Sequence, residues 1–241
     1  GAQYRNALRR GEDAHSAGRH EEALRIFRGL RAGAGEPTME LLGFLAQATG
    51  SRHALHVAVY EFQKPSLLKA LADARRRGAV VKAVYHGRRK DERDDTAEEN
   101  EKAVRAAGLT GCTKRRAAPT SAISHNKFVV LLEDGAPKAV WTGSTNWTDG
   151  ALYGQLNVGH AVYDARVAGA FEHYFRLLAA DKDAREIRAS LDREHTVKQV
   201  RSEYDAASGV WSIFSPQASL EAIAFYADVC RRARTLMVCA P

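Results

Sequence analysis

The sequence predicts an α/β fold with a mixed, largely parallel central sheet flanked by helices. Between residues 39 and 85, helical and strand patterns alternate with short connections, which is typical of such a layered fold. Residues 128–132 form a continuous apolar run with two valines, as in a strand buried on both faces. A chain of 241 residues, of which 45% are hydrophobic, is long enough to bury a substantial core.

The first elements are a short helical appendage and four alternating segments. Residues 1–36 carry two amphipathic helical patterns separated by a glycine, which predicts a helical hairpin. A helix, a strand, a helix and a strand follow, at residues 39–49, 55–62, 65–77 and 79–85. Pro65 is suited to the first turn of the second helix, and Gly78 to its end.

The next elements are two loops, a hairpin, a strand and a helix. Residues 87–100 are highly charged and predict a loop entering a helix that runs to Ala106, and residues 112–124 predict a polar, basic loop. Two apolar runs separated by turn-forming residues predict a β-hairpin, and a strand and an amphipathic helix follow it. These four segments are residues 128–132, 138–142, 156–163 and 164–178.

The last third of the chain predicts a linker and the beginning of an internal repeat. Residues 181–208 are charged and poor in apolar side chains, which is typical of a linker. Residues 221–241 align without gaps to residues 40–60, pairing Phe225 with Phe44 and Val238 with Val57. We therefore expect residues 37–180 to be one half of a repeat, and residues 209–241 to begin a second half that continues beyond this sequence.

Two short motifs flank the predicted hairpin. His125 and Lys127 immediately precede its first strand and, being two residues apart, are expected to project from one face. Gly143, Ser144 and Asn146 directly follow its second strand. The motifs would bring an imidazole, a cation and several hydrogen-bond donors to one end of the sheet. Such a set suits a tetrahedral phosphate group.

An HxK motif, a buried strand, a turn and then GSxN resemble the active-site motif of the phospholipase D superfamily of phosphodiesterases. The resemblance implies an α-β-α sandwich in which His125 attacks phosphorus and forms a phosphohistidine. Lys127 and Asn146 would hold the phosphate oxygens. A second HxK motif, from a second half of the same protein or from a second subunit, would supply the other histidine. No metal and no cofactor are implied.

Other polar residues are predicted to line or support this site. We expect Ser144, Glu61 and His86 to contact the substrate, the last two because they end predicted parallel strands. An acid or amide is expected to orient the His125 ring, with Asn157 and Gln155 as candidates. The aspartate of the family motif is replaced by Leu132, and Glu133 and Asp134 directly after it are candidates for that role.

Charge and composition guide the choice of substrate. The net charge is +7, the pI is about 9.4, and basic residues cluster at 75–77, 88–90, 114–116 and 231–232. A polyanionic partner fits this balance, so DNA or RNA is the first expectation. A phospholipid is the alternative, because the motif serves lipid phosphodiesters equally well. A non-catalytic binding module is a third interpretation, since the motif aspartate is missing.

Composition also helps to predict the cellular compartment of the protein. The three cysteines show no CxxC or histidine-rich spacing, which predicts neither a disulfide framework nor a zinc site. No apolar run approaches the roughly 18 residues that cross a bilayer. The first residues show no signal-peptide pattern, although no initiator methionine is present. We expect a cytoplasmic protein without a transmembrane segment.

Overall fold

The computed structural model describes Arg10 and residues 37–88, 95–117, 124–194, 196–206 and 209–236 of the 241-residue chain. The helical hairpin predicted for residues 1–36 lies outside the described residues, except for Arg10. The chain divides into two compact units, Gly1–Asp181 and Lys182–Pro241. The first unit contains the sheet, and the described elements of the second unit are helices.

Six strands form the sheet of the first unit. They are β1 (His53–Val59), β2 (Val80–His86), β3 (Thr113–Arg116), β4 (Lys127–Glu133), β5 (Ala136–Gly143) and β6 (Gly159–Val162). Their order across the sheet is β3-β2-β1-β4-β5-β6. Strands β1, β2 and β3 are parallel, whereas the pairs β1–β4, β4–β5 and β5–β6 are antiparallel.

The mixed sheet confirms the predicted α/β class. Parallel pairing is limited to one half of the sheet, so the sheet is less parallel than helix–strand alternation predicts. One of the three antiparallel pairs follows from the hairpin between β4 and β5, whose two central residues, Asp134 and Gly135, have φ angles of 50° and 78°. An Asp-Gly pair with positive φ at both positions forms a tight hairpin turn and thus antiparallel neighbours.

Among the described residues 37–181, five α-helices accompany the sheet: α1 (Pro37–Leu45), α2 (Pro65–Arg76), α3 (Thr96–Ala106), α4 (Asp149–Tyr153) and α5 (Ala165–Ala179). Their ends follow from local sequence. Pro65 lies in the first turn of α2, and Gly78, with a φ of 98°, ends it. The Asp164 carboxylate accepts hydrogen bonds from the first backbone N–H groups of α5. No helix among the described residues has the length and apolar character needed to cross a bilayer.

The helices cover both faces of the sheet. Leu55, Val57 and Val59 of β1 belong to a large buried apolar cluster that includes residues of α1, α2 and α3. His56, which points to the other face, stacks on Phe175 of α5 with ring centroids 4.7 Å apart. Because alternate residues of a strand face opposite sides, α5 covers the face opposite to α1 and α2. The result is the helix–sheet–helix layering that the sequence predicts.

The prediction of a loop over residues 112–124 is wrong at its beginning, where β3 lies. The four residues of β3 contain no aliphatic side chain, so the sequence has no apolar pattern from which this strand could be predicted. Lys114 and Arg115 are exposed, and Arg116 is buried, where its Nη1 donates to the backbone oxygen of Leu178 at 3.1 Å. Charged residues are a common feature of edge strands because they discourage pairing with other chains.

The segment predicted as a linker, residues 181–208, contains two helices over most of its length, and its role as a linker stays a prediction. They are α6 (Ala184–Glu194) and α7 (Val197–Ala206), and a third helix, α8 (Glu221–Arg232), follows. Apolar residues are few there but have helical spacing. Val197 of α7 forms a small buried cluster with Ala222 and Phe225 of α8, and Tyr204 packs on Phe225 with ring centroids 5.4 Å apart.

The helical part of the predicted repeat is present in both halves. The alignment pairs α8 with α1, but α1 ends at Leu45, the position aligned with Tyr226, whereas α8 continues to Arg232. Residues 237–241, which would contain most of the second copy's first strand, lie outside the described residues. The internal repeat and the boundaries of the halves therefore stay predictions.

Candidate active site

The two motifs meet at one edge of the sheet. Because β1 and β4 are antiparallel neighbours, the end of β1 lies beside the beginning of β4 and its HxK motif. The segment after β5 returns to the same place, where the Trp147 N–H donates to Glu61 O and Trp147 O accepts from the Gln63 N–H, both at 3.0 Å. Trp147 is fully buried, and its ring packs on Phe62 with centroids 5.2 Å apart. This tryptophan anchors the second motif next to the first.

His125 and Lys127 occupy different environments. His125 directly precedes β4, which begins at Lys127. The two side chains contact the same ring, that of Tyr60, as expected for neighbours on one face. Lys127 is only 6% exposed, whereas His125 is exposed. The Lys127 ammonium Nζ donates to the backbone oxygen of His125 at 3.2 Å. This hydrogen bond links the two residues of the motif.

Burial lowers the pKa of both residues. Loss of solvation lowers the pKa of Lys127 from 10.5 to about 8, with the Glu61 carboxylate acting in the opposite direction. Loss of solvation is also the main cause of the lowered pKa of His125, and the charges of Lys127 and His86 add to it. At pH 7, His125 is therefore mostly a neutral imidazole, while Lys127 remains an ammonium ion.

Sequence reasoning missed two residues at this edge. The Tyr60 ring contacts the His125 ring, with centroids 4.8 Å apart. Asn100 of α3 is fully buried, and its Nδ2 donates to the backbone oxygen of Tyr60 at 2.8 Å. A sequence signal for Asn100 exists, because it shares the buried face of α3 with Ala97 and Val104. An amide on an apolar helix face predicts a buried side chain that forms hydrogen bonds with neighbouring groups. Nothing in the sequence distinguishes Tyr60 from an ordinary strand aromatic.

The loop after β5 is held against the segment before β6. A Cβ atom on Gly143 would lie 2.0 Å from Val158 O and 2.9 Å from the Cα of Gly159, so this position excludes any side chain. The Ser144 N–H donates to Val158 O, and the Val158 N–H donates to Ser144 Oγ, both at 3.0 Å. Ser144 Oγ also donates to Asn157 Oδ1 at 2.9 Å. These bonds fix the loop, and the predicted contact of Ser144 with substrate stays a prediction.

Asn146 has unused hydrogen-bonding capacity. Its side-chain oxygen Oδ1 is buried, and no group among the described residues donates to it. On one side the loop is fixed by Thr145, whose Oγ1 donates to Val158 O at 3.3 Å, and on the other by the anchored Trp147. A buried polar atom without a partner is costly, and half a turn of the amide would present its NH₂ group at the same place. Asn146 can therefore bond to a ligand.

Asn157 and Gln155, expected to orient the His125 ring, are bonded within their own loop. Asn157 Nδ2 donates to Ala151 O at 2.8 Å and to Gln155 Oε1 at 3.1 Å. Together with the bond from Ser144, these contacts stabilise the connection between β5 and β6. The orientation of the imidazole by either amide stays a prediction.

Glu133 and Asp134 do not serve the site, which corrects their proposed role in place of the motif aspartate. They lie at the far end of the seven-residue β4, about 20 Å from Lys127 at the usual rise per strand residue. Arg52 Nη2 pairs with Glu133 Oε1 at 3.1 Å and with Asp134 Oδ2 at 2.6 Å. The register shift at Leu132 does not bring either carboxylate back toward the motif.

Glu61 and His86 lie at the site edge of the sheet. His86 is buried, and its ring centroid is 4.9 Å from that of Tyr60. Glu61 Oε2 accepts from Thr148 Oγ1 at 3.5 Å, and its charge acts on Lys127. Contact of either residue with substrate stays a prediction. In the part of the chain that the structure describes, no three His, Cys, Asp or Glu side chains are grouped to hold a metal ion.

Comparison with known families gives this site a context. The family model described as "Cardiolipin synthase, PLD-like domain" matches residues 42–179, which is more than half of the chain. The chain belongs to the phospholipase D superfamily. The matched span of this PLD-like domain contains all six strands, both motifs, and α5 to its last residue. The resemblance of the two motifs is thus confirmed at the level of the family.

Solved structures similar to the PLD-like domain include two bacterial proteins with related names, Nuc and NucT. Nuc, a phospholipase D family member from Salmonella typhimurium, is 23% identical with a TM-score of 0.45, over 59% of this chain and 88% of Nuc. NucT from Helicobacter pylori is 19% identical with a TM-score of 0.44, over 59% of this chain and 89% of NucT. Polyphosphate kinase from Porphyromonas gingivalis is 15% identical with a TM-score of 0.44, over 59% of this chain and 24% of the kinase. No curated protein matches the chain.

Proposed function

We propose that the PLD-like domain is a metal-independent phosphodiesterase that uses His125 as its nucleophile and acts on DNA or RNA. The observation that carries the proposal is the pairing of an exposed imidazole with a buried ammonium group, Lys127 Nζ, 3.2 Å from His125 O. A neutral imidazole can attack phosphorus, and a cation in a poorly solvated place attracts phosphate oxygens strongly. Both groups are in the required charge state at pH 7.

The first step forms a bond between a His125 ring nitrogen and phosphorus while the phosphorus–oxygen bond to the leaving group breaks. Lys127 and Asn146 hold the non-bridging oxygens, whose negative charge is spread over the transition state. The product is a phosphohistidine. In the second step, water attacks phosphorus, the nitrogen–phosphorus bond breaks, and His125 is regenerated. No metal is required, because Lys127 supplies the positive charge.

Complete turnover requires a second imidazole. An acid must protonate the leaving oxygen, and the same group must later take a proton from water. A second HxK half supplies it in our proposal, either from further sequence of the same protein or from a second subunit. The half-site described here would therefore perform the first step on an activated ester and stop at the covalent intermediate.

Nucleic acid is favoured by charge. The chain carries a net charge of +7, and Arg88, Lys114 and Arg115 are exposed near the ends of β2 and β3. Parallel strands end at the same edge of a sheet, so these residues lie at the same edge as the candidate site. Lysine and arginine side chains at such positions can contact the phosphates of a nucleic-acid strand.

A phospholipid substrate is the second candidate, and a specific observation favours it. Leu156 and Val158, in the loop that carries Asn157, are 93% and 56% exposed, and Tyr153 at the end of α4 is 52% exposed. Apolar side chains at the rim of a phosphate site could contact acyl chains. The matching family model also bears the name of a lipid-synthesising enzyme, cardiolipin synthase.

A burst experiment tests the proposed nucleophile. With EDTA present, bis-p-nitrophenyl phosphate is mixed with the full 241-residue chain, and nitrophenolate release is followed. This leaving group departs without a proton, so the first step does not need the second half. We expect about one nitrophenolate per chain in a rapid phase, and none in His125→Ala. His53→Gln is the control, because His53 lies opposite Glu133 at the far end of the sheet. A burst that survives in His125→Ala would contradict the proposal.

Substrate assays then separate the alternatives. Single-stranded DNA, RNA and phosphatidylcholine vesicles are incubated with EDTA and with the chain at concentrations that permit dimer formation, and with the full-length protein where further sequence exists. Cleavage of nucleic acid alone supports the first candidate, and lipid turnover alone supports the second. A folded protein that shows neither a burst nor cleavage would support the third interpretation, a non-catalytic binding module.

A further inference from the structure

Tyr60 lies where the two catalytic segments meet, directly after β1. Its backbone N–H donates to Asn126 O at 2.9 Å, which continues the β1–β4 pairing one residue past the partners Val59 and Lys127. The side chain is half-buried. The Tyr60 backbone is therefore bonded to the residue between His125 and Lys127, which places its ring beside the HxK motif.

The Tyr60 ring is surrounded by the three basic side chains of the site. The His125 ring is 4.8 Å away with an interplanar angle of 67°, an edge-to-face arrangement. The Lys127 ammonium lies over the ring, 5.5 Å from its centroid, within the range of a cation–π interaction. The His86 ring is 4.9 Å away at an angle of 46°. One aromatic ring thus contacts both members of the HxK motif.

Asn100 holds the backbone under this ring. Its Nδ2 donates to Tyr60 O at 2.8 Å and to His86 O at 3.0 Å, and its Oδ1 accepts from the Phe62 N–H at 2.7 Å and from Gln63 Nε2 at 3.2 Å. The amide therefore uses both donor hydrogens and both acceptor positions. A fully satisfied, fully buried amide of this kind joins the ends of β1 and β2 rigidly.

We propose that Tyr60 is a positioning residue of the active site, whose ring orients the His125 imidazole and stabilises the charge of Lys127. Among the described residues no side chain hydrogen-bonds to the His125 ring, and the amides expected to orient it are bonded within their own loop. In this proposal the aromatic ring takes the orienting role that was expected of an acid or an amide. Because its role is defined by the reaction at His125, the proposal rests on the proposed function.

The physical effect on each partner is distinct. For Lys127, the negative face of the ring replaces part of the lost hydration and favours the charged form. For His125, the ring restricts the imidazole to orientations that keep the edge-to-face contact, which lowers the entropy lost on reaching the reactive geometry. The ring, not the hydroxyl group, makes both contacts, so phenylalanine should replace tyrosine and an aliphatic residue should not.

Nuclear magnetic resonance gives a readout that does not depend on activity. The titrations of the His125 imidazole and the Lys127 ammonium are followed in wild type, Tyr60→Phe and Tyr60→Leu. In Tyr60→Leu we expect the pKa of Lys127 to fall by roughly 0.5 or more, and the ring-current shift of the His125 protons to disappear. Tyr60→Phe should keep both. The charged and titratable groups that face the pair, Glu61 and His86, are the same in all three proteins.

The nitrophenolate burst measures the consequence for chemistry. We expect its rate constant to fall about 10- to 100-fold in Tyr60→Leu and to be largely restored in Tyr60→Phe. Tyr226→Leu, an exposed tyrosine of the second unit, is the control and should match wild type. If Tyr60→Leu does not fold, Tyr60→Met offers a flexible apolar side chain without a ring, and the same predictions apply to it.

The outcomes separate the two proposals. Unchanged titrations, unchanged ring-current shifts and an unchanged burst in Tyr60→Leu would overturn the role of Tyr60. So would a Tyr60→Phe variant as impaired as Tyr60→Leu, because the hydroxyl group would then be responsible. A wild-type protein without any burst would overturn the proposed function instead, while the shifts in the magnetic resonance spectra would still decide whether Tyr60 holds His125 and Lys127.

Discussion

Lys127 carries its charge in a place with little solvation. It is only 6% exposed, and its pKa is lowered to about 8 because loss of solvation disfavours the ammonium form relative to the neutral amine. Glu61, the Tyr60 ring and the His125 carbonyl offset this only in part. A buried ammonium group that is costly to keep charged and lies next to an exposed histidine is a candidate for catalytic use.

Replacing Lys127 by methionine is expected to stabilise the fold. The folded-state pKa of about 8 lies below the unfolded value of 10.5, so the buried ammonium destabilises the native state below pH 8. Lys127→Met removes this charge and keeps an aliphatic chain, and should raise the free energy of unfolding at pH 7 by about 1–3 kcal/mol. The gain should shrink between pH 8 and 10.5, where the folded wild type loses the proton.

Urea denaturation at pH 7 and pH 10 measures this difference. Lys82→Met, an exposed lysine of β2, is the matched control and should change stability by less than about 0.5 kcal/mol. A Lys127→Met variant that is less stable than wild type at pH 7 would show that the ammonium is well compensated.

The burst rate should depend on pH with two limits. It should rise as His125 loses its proton, at a pH below the usual 6.5 because the pKa of this imidazole is lowered by burial and by the charges of Lys127 and His86. It should fall as Lys127 becomes neutral, near pH 8. Stopped-flow measurements between pH 5 and 10 test this profile. In Lys127→Arg, which stays charged, the alkaline limit should disappear, and a limit that remains near pH 8 would contradict the assignment.

At this scale the sequence predicts candidate residues, whereas their geometry comes only from the structure. The motif selected His125, Lys127 and Asn146, because each residue type has a chemical reason to be near phosphate. It could not reveal that β4 begins only at Lys127, since the beginning of a strand depends on its neighbours and not on its own residues. It also could not reveal Tyr60, because an aromatic residue at the end of a strand is common in any sheet.

Among the elements, the connection between β5 and β6 depends on one missing side chain. Gly143 lies very close to Val158. Next to it, the Ser144 N–H donates to Val158 O, and the Val158 N–H donates to Ser144 Oγ. This close approach explains in physical terms why the GSxN motif begins with glycine. Glycine is required here for close approach, not for an unusual backbone angle.

Gly143→Ala should disrupt this connection. The added Cβ would lie 2.0 Å from the backbone oxygen of Val158, which cannot move aside as a flexible side chain could. We expect a loss of stability of about 2 kcal/mol or more, and a loss of the burst because Asn146 moves with the loop. Gly150→Ala is the control, because no atom lies within 4 Å of its added Cβ, and thermal unfolding compares the two. Equal stability of both variants would contradict this account of the loop.

The elements differ in how well the sequence predicts them. Strands β1, β2, β4 and β5 are rich in aliphatic residues, and their burial and approximate bounds follow from that pattern. Strand β3, with the sequence Thr-Lys-Arg-Arg, exists only because the edge of β2 offers it hydrogen bonds. Helices α6 and α7 bury few side chains, so the apolar spacing typical of a helix is difficult to recognise among their many charged residues.

For the whole molecule, the net charge of +7 predicts salt-dependent binding of nucleic acid. The logarithm of the binding constant for single-stranded DNA should fall linearly with the logarithm of the salt concentration. A double variant, Lys114→Gln with Arg115→Gln, should reduce the slope by roughly 1.4, or about 0.7 for each phosphate that is no longer neutralised. Fluorescence anisotropy at several salt concentrations measures the slope.

The control for this prediction is Arg75→Gln, an exposed arginine near the end of α2. Helix α2 begins after the site end of β1 and runs away from it, so Arg75 lies far from the candidate site. Its replacement should leave the slope unchanged. An equal effect of Arg75 and of the pair on β3 would mean that binding follows total charge and not a path to the site.

For the whole molecule, membership of the phospholipase D superfamily agrees with a site that contains one of the two histidines needed for catalysis. The PLD-like domain carries one HxK motif and one GSxN motif, and the proposed chemistry needs two imidazoles. Residues 209–241 are expected to begin the other half, because they align with residues 40–60, although most of the aligned strand lies outside the described residues. The choice of nucleic acid over lipid stays a prediction, because a phosphodiester presents the same charge in DNA, RNA and lipid.

Mass spectrometry of the trapped intermediate tests the central claim most directly. The chain is mixed with bis-p-nitrophenyl phosphate and EDTA, quenched under alkaline conditions that preserve phosphohistidine, and digested. We predict a nitrophenyl phosphoryl group on His125, formed at the rate of the nitrophenolate burst and absent when His125 is replaced by alanine. A burst without modification of His125, or modification of another residue at the same rate, would contradict the account.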